Sequence, residues 1–148
     1  MANYQRIISL VPSLTELVID LGLEDQLVGR TRFCVLPKDT VDDIPIVGGT
    51  KNPRLDKIRE ANPDYIIANK EENRPQDINA LRQDFETNIT EITTIEDALI
   101  TIHELGQVFG VAEKANKLIT NIQHRLEERP DEKELRTAYM VWKDPWMS

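Results

Sequence analysis

The sequence predicts an α/β fold built on an open parallel sheet. Short, β-branched apolar runs alternate along the chain with amphipathic stretches at helical spacing. Two of the runs, Arg6–Val11 and Asp64–Ala68, are nearly continuous, as strands buried on both faces are. Glycine, proline and capping residues punctuate the ends of the elements.

The elements follow in order. Arg6–Val11 is the first strand. Pro12-Ser13-Leu14-Thr15-Glu16 opens a helix, with Ser13 as N-cap and Glu16 completing a capping box. Leu14, Leu17, Val18 and Leu21 form its inner stripe and Gly22 ends it. Leu27-Val28-Gly29 is a short strand, and Ile44–Val47 a weaker one that Pro45 confines to a strand start or an edge. The loop from Gly48 leads to a helix capped by Asn52, with Pro53 at its first position and Leu55, Ile58 and Ala61 facing inward. After the strand at Asp64–Ala68, the polar turn Lys70–Pro75 feeds a helix over Gln76–Phe85, and Ile89–Ile92 is the next strand. Thr93 with Glu96, or Thr94 with Asp97, starts a long helix carrying Ile95, Ala98, Leu99, Ile102, Leu105 and Val108. Gly110 breaks it, and a second stripe runs through Val111, Ala115, Leu118, Ile119, Ile122 and Leu126. Glu127–Arg136 is a charged connector, and Ala138–Trp142 begins a new strand.

Composition narrows the function. At 148 residues the chain is one domain's length, and 18 basic against 26 acidic residues give a net charge of −8. That balance disfavours nucleic acid and anionic membrane as primary partners, since both need a positive field. One cysteine, Cys34, and two histidines, His103 and His124, exclude a disulfide framework and a Cys- or His-rich metal cage within one copy of the chain. No metal site is therefore assigned. No apolar run approaches the roughly 20 residues of a membrane span, and no signal peptide is read at the start of the sequence. By itself that leaves a cytoplasmic location open.

In an open α/β sheet, ligands bind beyond the carboxyl ends of the strands. Four polar loops fall there: Pro12-Ser13, Thr31-Arg32-Phe33-Cys34, Gly48-Gly49-Thr50-Lys51-Asn52, and Asn69-Lys70-Glu71-Glu72-Asn73. Helix starts at Ser13 and Asn52 offer free N–H groups, and Arg32, Lys51 and Lys70 add positive charge to a negative protein. Each of these is also what a capped turn with solvated cations contains. Gly48-Gly49 lacks phosphate-loop spacing and reads as a turn needing positive φ. Cys34 reads as a buried inert thiol and Glu71-Glu72 as a solvated turn. The competing reading is a small α/β enzyme or regulatory domain that uses Cys34, Ser13 or the Glu71-Glu72 loop. Asn88-Ile89-Thr90 fits the glycosylation acceptor pattern, which is common by chance.

The segment from Arg6 to Leu17 (RIISLVPSLTEL) resembles the first strand and helix of the cobalamin and iron-chelate substrate-binding proteins of ABC importers, the helical-backbone receptors. The likeness continues through Leu21-Gly22, Val28-Gly29, Ile46-Val47-Gly48, Leu55-Asp56-Lys57-Ile58 and Asn62–Ala68. It implies a Rossmann-like, parallel-sheet three-layer lobe followed by a long backbone helix, as in class III periplasmic binding proteins. Residues 1–110 would be the ligand-binding lobe, 111–128 the interlobe helix, and 129–148 a connector and the first strand of a truncated second lobe. The implied function is binding without catalysis in an interlobe cleft. The ligand would be cobalamin or an iron chelate, with no covalent cofactor, delivered to an ABC permease. The implied ligand contacts are Pro12, Ser13, Arg32, Phe33, Cys34, Gly49, Thr50, Lys51, Asn69, Lys70 and Trp142. Asp56 matches the carboxylate through which such receptors dock on their transporter. Of the aromatic positions that line the cleft in cobalamin-binding members, Phe33 keeps one while Thr50 and Asn69 do not. That shifts expectation toward polar or anionic chelates met by Arg32, Lys51 and Lys70. The resemblance implies a periplasmic or cell-surface location. The unpaired strand over 138–142 also invites self-association by edge pairing.

Overall fold

The structure, a computed structural model, describes residues 4–128 together with Ala138 and the backbone of Trp142–Lys143 and Trp146–Met147. The strands are β1 (Ile7–Ser9), β2 (Leu27–Arg30), β3 (Tyr65–Asn69) and β4 (Thr87–Thr90), and they form one parallel sheet in the order β2-β1-β3-β4. Alternate side chains leave on opposite faces, and the core divides accordingly. Ile7, Tyr65 and Ile67 pack with α1 (Pro12–Asp20), α5 (Ile95–Val108) and α6 (Ala112–Glu127) through Val18, Leu105 and Ala115. Ile8, Ile66 and Ala68 pack with α3 (Leu55–Ala61) and α4 (Pro75–Leu81) through Ile58, Ile78 and Leu81. The predicted parallel α/β lobe is therefore a three-layer sandwich with a buried sheet. At its N-terminal end, Tyr65, Tyr4 and Phe109 stack with ring centroids 4.5–6.1 Å apart.

Helices α5 and α6 form a hairpin around Gly110, as the two stripes predict. Gly106 makes it close: a Cβ there would stand 2.3 Å from the Ala115 Cβ. Of the two alternatives for the start of α5, the Thr94–Asp97 pair forms the capping box.

Several boundaries differ from expectation, each for a local reason. Helix α1 is capped by Val11 rather than Ser13, and no side chain caps it. A residue preceding proline is pushed into extended geometry, and Val11 (φ −138°, ψ 129°) takes that role, with Pro12 in the first turn. Ser13 consequently lies inside the helix and makes no box with Glu16. Asn52 does not cap α3 either. Pro53 bridges back to Gly48, Asn52 O accepts the Gly49 N–H, and the helix starts at Leu55 after Arg54. Strand β2 extends to Arg30, while the expected strand over Ile44–Val47 contributes a single parallel bridge from Ile46 to Arg30. Strand β4 begins two residues before the predicted Ile89, because its register is set by Ile66 opposite Thr87 and Asn69 opposite Thr90. Helix α4 stops at Leu81, although Phe85 still packs on its core. A four-residue helix, α2 (Lys38–Val41), was not predicted.

Of the strand expected over 138–142, Ala138 lies in no regular element. Trp142–Lys143 (β5) pairs antiparallel with Trp146–Met147 (β6). The remainder of that strand, the connector beyond Glu128 and the Trp142 side chain lie outside the described residues.

Candidate functional site: a wall of loops at the carboxyl edge of the sheet

All four strands point the same way, so their carboxyl ends deliver the following loops to one edge. The loops are tied to one another. The Arg32 N–H donates to Gly48 O (2.9 Å), joining the loop after β2 to the Gly48–Pro53 turn. A Cβ on Gly49 would stand 3.4 Å from the edge of the Phe33 ring. Asn73 Nδ2 donates to Leu10 O (3.2 Å) and to Thr50 O (3.0 Å), while its Oδ1 accepts the Asn69 N–H (2.8 Å). Asn69 Oδ1 accepts the Glu71 and Glu72 amides, and its Nδ2 donates to Thr90 O. Lys51 Nζ donates to the Glu71 carbonyl, and Lys70 pairs with Glu91 at 2.7 Å. Between the start of α1 and the loop after β3 lies a recess of about 350 Å³, lined by Val11, Pro12, Ser13, Leu14, Asn69, Glu71, Glu72 and Ile92.

The predicted contact residues from Pro12 to Lys70 thus lie on loops of one edge, but not equally, while Trp142 falls outside the described side chains. Ser13, Arg32, Phe33, Lys51 and Lys70 are exposed, Pro12 and Asn69 are half-buried, and Gly49 is buried. Cys34 (1% exposed) and Thr50 (9%) lie beneath the surface. The Cys34 thiol contacts Thr15 Oγ1 (3.1 Å) and Thr31 Oγ1 (3.2 Å), two neutral hydroxyls that supply no base. Of the three cations expected to be free, Lys70 is already paired and Lys51 is held by a carbonyl. Arg32 has no carboxylate partner among the described residues, and its guanidinium lies 5.9 Å from the Phe33 centroid. Phe33, Val35 and Leu36 are each more than half exposed, an apolar ridge beside that charge.

Two supporting residues had no strong signal in the sequence. Arg30 is buried, and its guanidinium donates to Val41 O (2.6 Å), Cys34 O (2.9 Å) and Thr31 O (3.4 Å), strapping the segment that carries Arg32 and Phe33. Asn73, 3% exposed, joins three segments. The only hint was its position in a polar loop just after a strand.

The other candidates sit apart from this chemistry. Asp56 is exposed in the first turn of α3, where Arg54 Nη2 meets it at 2.8 Å. The hydrogen bond from Arg54 holds the Asp56 carboxyl below the usual carboxylate range. His103 is exposed, and His124 lies 3.6 Å from Glu128. Among the described residues no three His, Cys, Asp or Glu side chains are grouped as a metal site. Asn88 lies in β4 opposite Ile67. Burial first of all pushes the Tyr65 hydroxyl up.

Behind the last loop, Asp97 accepts from the Thr93 N–H (3.0 Å), Thr93 Oγ1 (2.9 Å) and the Thr94 N–H (2.8 Å). These bonds, the Thr93 amide foremost, lower its pKa from 3.8 to about 2. The folded value lies below the unfolded one, so the stabilisation is complete above the unfolded pKa and is lost as pH falls through the folded one. An NMR titration of the Asp97 carboxyl is expected to show its midpoint near about 2. A midpoint at the usual 3.8 would contradict the cap.

A parallel four-stranded sheet with helices on both faces and its loops gathered at one edge defines the chain as an α/β protein of the three-layer class. The chain belongs to the periplasmic binding protein family, whose model matches residues 7–139. It is 30% identical over 130 residues to the uncharacterized ABC transporter substrate-binding lipoprotein YvrC of Bacillus subtilis, covering 84% of this chain and 40% of that protein. Among solved structures it is similar to the periplasmic vitamin B12 binding protein of Vibrio cholerae, with a TM-score of 0.77 and 28% identity over 84% of this chain and 49% of that one. It is also similar to a periplasmic heme binding protein from Pseudomonas aeruginosa, with a TM-score of 0.78 and 25% identity over 84% and 45% of the respective chains. The chain spans about half the length of the curated relatives it matches. The vitamin B12 and heme relatives are binding proteins, not enzymes, and the fold is that of class III periplasmic binding proteins.

Proposed function

We propose that this chain is the ligand-receiving lobe of the substrate-binding component of an ABC importer, acting by binding alone. Residues 1–110 form the lobe, and the helix over 111–128 joins it to a second lobe across a cleft. The supporting observation is the convergence of the loops after β1, β2 and β3 with the Gly48–Pro53 turn on one edge. In this reading Pro12, Ser13, Arg32, Phe33, Lys51, Asn69 and Lys70 meet the ligand, Gly49, Thr50 and Cys34 shape the wall beneath them, and Trp142 is a further ligand contact. The site is periplasmic or at the cell surface, and Asp56 docks on the permease.

The ligand is an iron chelate or corrinoid, and the rim favours an anionic chelate with an apolar face. Phe33, Val35 and Leu36 supply apolar surface, and Arg32, whose guanidinium lies beside the Phe33 ring, has no carboxylate or carbonyl partner among the described residues. One wall buries one side of a ligand yet bears the full association penalty. Calorimetry with hemin and with cyanocobalamin is therefore expected to show saturable 1:1 binding, tighter for hemin and weaker than that of a two-lobed relative. Affinity equal to that relative's, or turnover of either compound, would contradict the proposal.

A further inference from the structure

We propose that Asn73 is the positioning residue of this wall, a single buried amide that holds three loops in place before any ligand arrives. Its purpose rests on the receptor reading above; its geometry does not. The side chain is 3% exposed, and both of its polar ends are engaged. Oδ1 accepts the Asn69 N–H at 2.8 Å, within the loop after β3. Nδ2 reaches Leu10 O at 3.2 Å, a residue 63 positions away just after β1, and Thr50 O at 3.0 Å, 23 positions away in the Gly48–Pro53 turn.

The partners also fix which way round the amide sits. Two carbonyls need donors and one N–H needs an acceptor, and only one orientation supplies both. Few side chains can replace it. Aspartate keeps the acceptor but has no donor, alanine has neither, and glutamine is one methylene too long for a site this buried. Each lost bond leaves a main-chain group without its partner under the wall, the Leu10 or Thr50 carbonyl or the Asn69 N–H.

The other tie across the gap, Lys51 to the Glu71 carbonyl, is made by an exposed flexible side chain, which holds geometry weakly. The amide is also uncharged. It therefore orders the wall without favouring a ligand of either charge, leaving selection to Arg32 and the apolar ridge. A preordered wall lowers the entropy lost when a ligand immobilises loops.

Exchange of backbone amides in the full chain tests this, with Asn73→Asp and Asn73→Ala as variants. The reporters are the Arg32 amide on Gly48 O, the Gly49 amide on Asn52 O and the Asn69 amide on Asn73 Oδ1. In Asn73→Asp, Arg32 and Gly49 are expected to exchange at least tenfold faster while Asn69 stays protected. In Asn73→Ala all three accelerate. In both, the Ile8 and Ile67 amides of the sheet keep their wild-type rates. Acceleration that includes the sheet would make Asn73 an ordinary contributor to stability, and unchanged rates at Arg32 and Gly49 would show no latch; either overturns the proposal. Hemin affinity, measured in parallel, is expected to fall at least tenfold in both variants. If the wild-type chain binds no hemin, that counts against the receptor reading, and the exchange rates still decide the latch.

Discussion

Gly48→Ala is expected to destabilise the lobe by roughly 2–4 kcal/mol, combining positive-φ strain with overpacking. Gly48 has φ +119°, a conformation that side-chain-bearing residues rarely adopt. The new Cβ would stand 2.6 Å from Arg54 N, 2.8 Å from Asn52 O and 2.9 Å from Pro53 Cα. All three are backbone atoms, so no side-chain rotamer can relieve the contact. Relief requires opening the bridge between Gly48 and Pro53, which frees Arg54 N–H from Val47 O and Arg32 N–H from Gly48 O. Damage should therefore spread from the turn to the loop that carries Phe33. Urea denaturation checks the magnitude, and a change within about 0.5 kcal/mol, the range of an ordinary surface substitution, would contradict the geometry.

Asp56→Lys is expected to abolish stimulation of ATP hydrolysis by the cognate importer, a loss of roughly tenfold or more if the carboxylate meets a basic residue there. Stability should barely change. Asp56 and its partner Arg54 both have side chains more than half exposed, and an exposed pair of this kind is worth about 0–1 kcal/mol. The exposure also makes the pair exchangeable: a guanidinium on the transporter could replace Arg54 without uncovering a buried charge. The hydrogen bond from Arg54 moves the Asp56 pKa further below the usual carboxylate range, so neutral pH leaves the proposed docking group charged. Importer ATPase in proteoliposomes, with thermal melting of the variant alongside, separates the outcomes. Full stimulation by the variant removes Asp56 from docking, and loss of stimulation together with unfolding assigns it a structural role.

Most of the fold was legible because it depends on patterns within a few residues. The short runs at Ile7–Ser9 and Tyr65–Ala68, centred on isoleucines, are buried on both faces, and the stripes of α5 and α6 keep a helical period over several turns. Errors clustered where a backbone constraint outranked a side-chain signal. Ser13 has the chemistry of a cap, but Pro12 imposed extended geometry on Val11 and moved the helix start. Asn52 and Pro53 resemble a cap and first turn, yet the Gly48–Pro53 bridge uses both residues first. Helix α2, at four residues, is too short to show a stripe.

The loops of the site could be located from the sequence, since they follow the strands. Their internal support could not. Asn73 acts on carbonyls 23 and 63 positions away, and Arg30 on Val41 eleven positions on. Contacts of that range leave no local periodicity. For the same reason Lys51 and Lys70 read as free cations until their partners Glu71 and Glu91 came into place across neighbouring loops.

Mapping of amide chemical-shift changes while hemin is titrated into the chain tests the shared wall most directly. Perturbations confined to residues 10–14, 31–36, 48–52, 69–73 and 91–93 are the predicted result. Saturable binding that instead perturbs the Tyr4–Tyr65–Phe109 end of the sheet, or the outer face of α3 and α4, and leaves those loops unchanged, would contradict it.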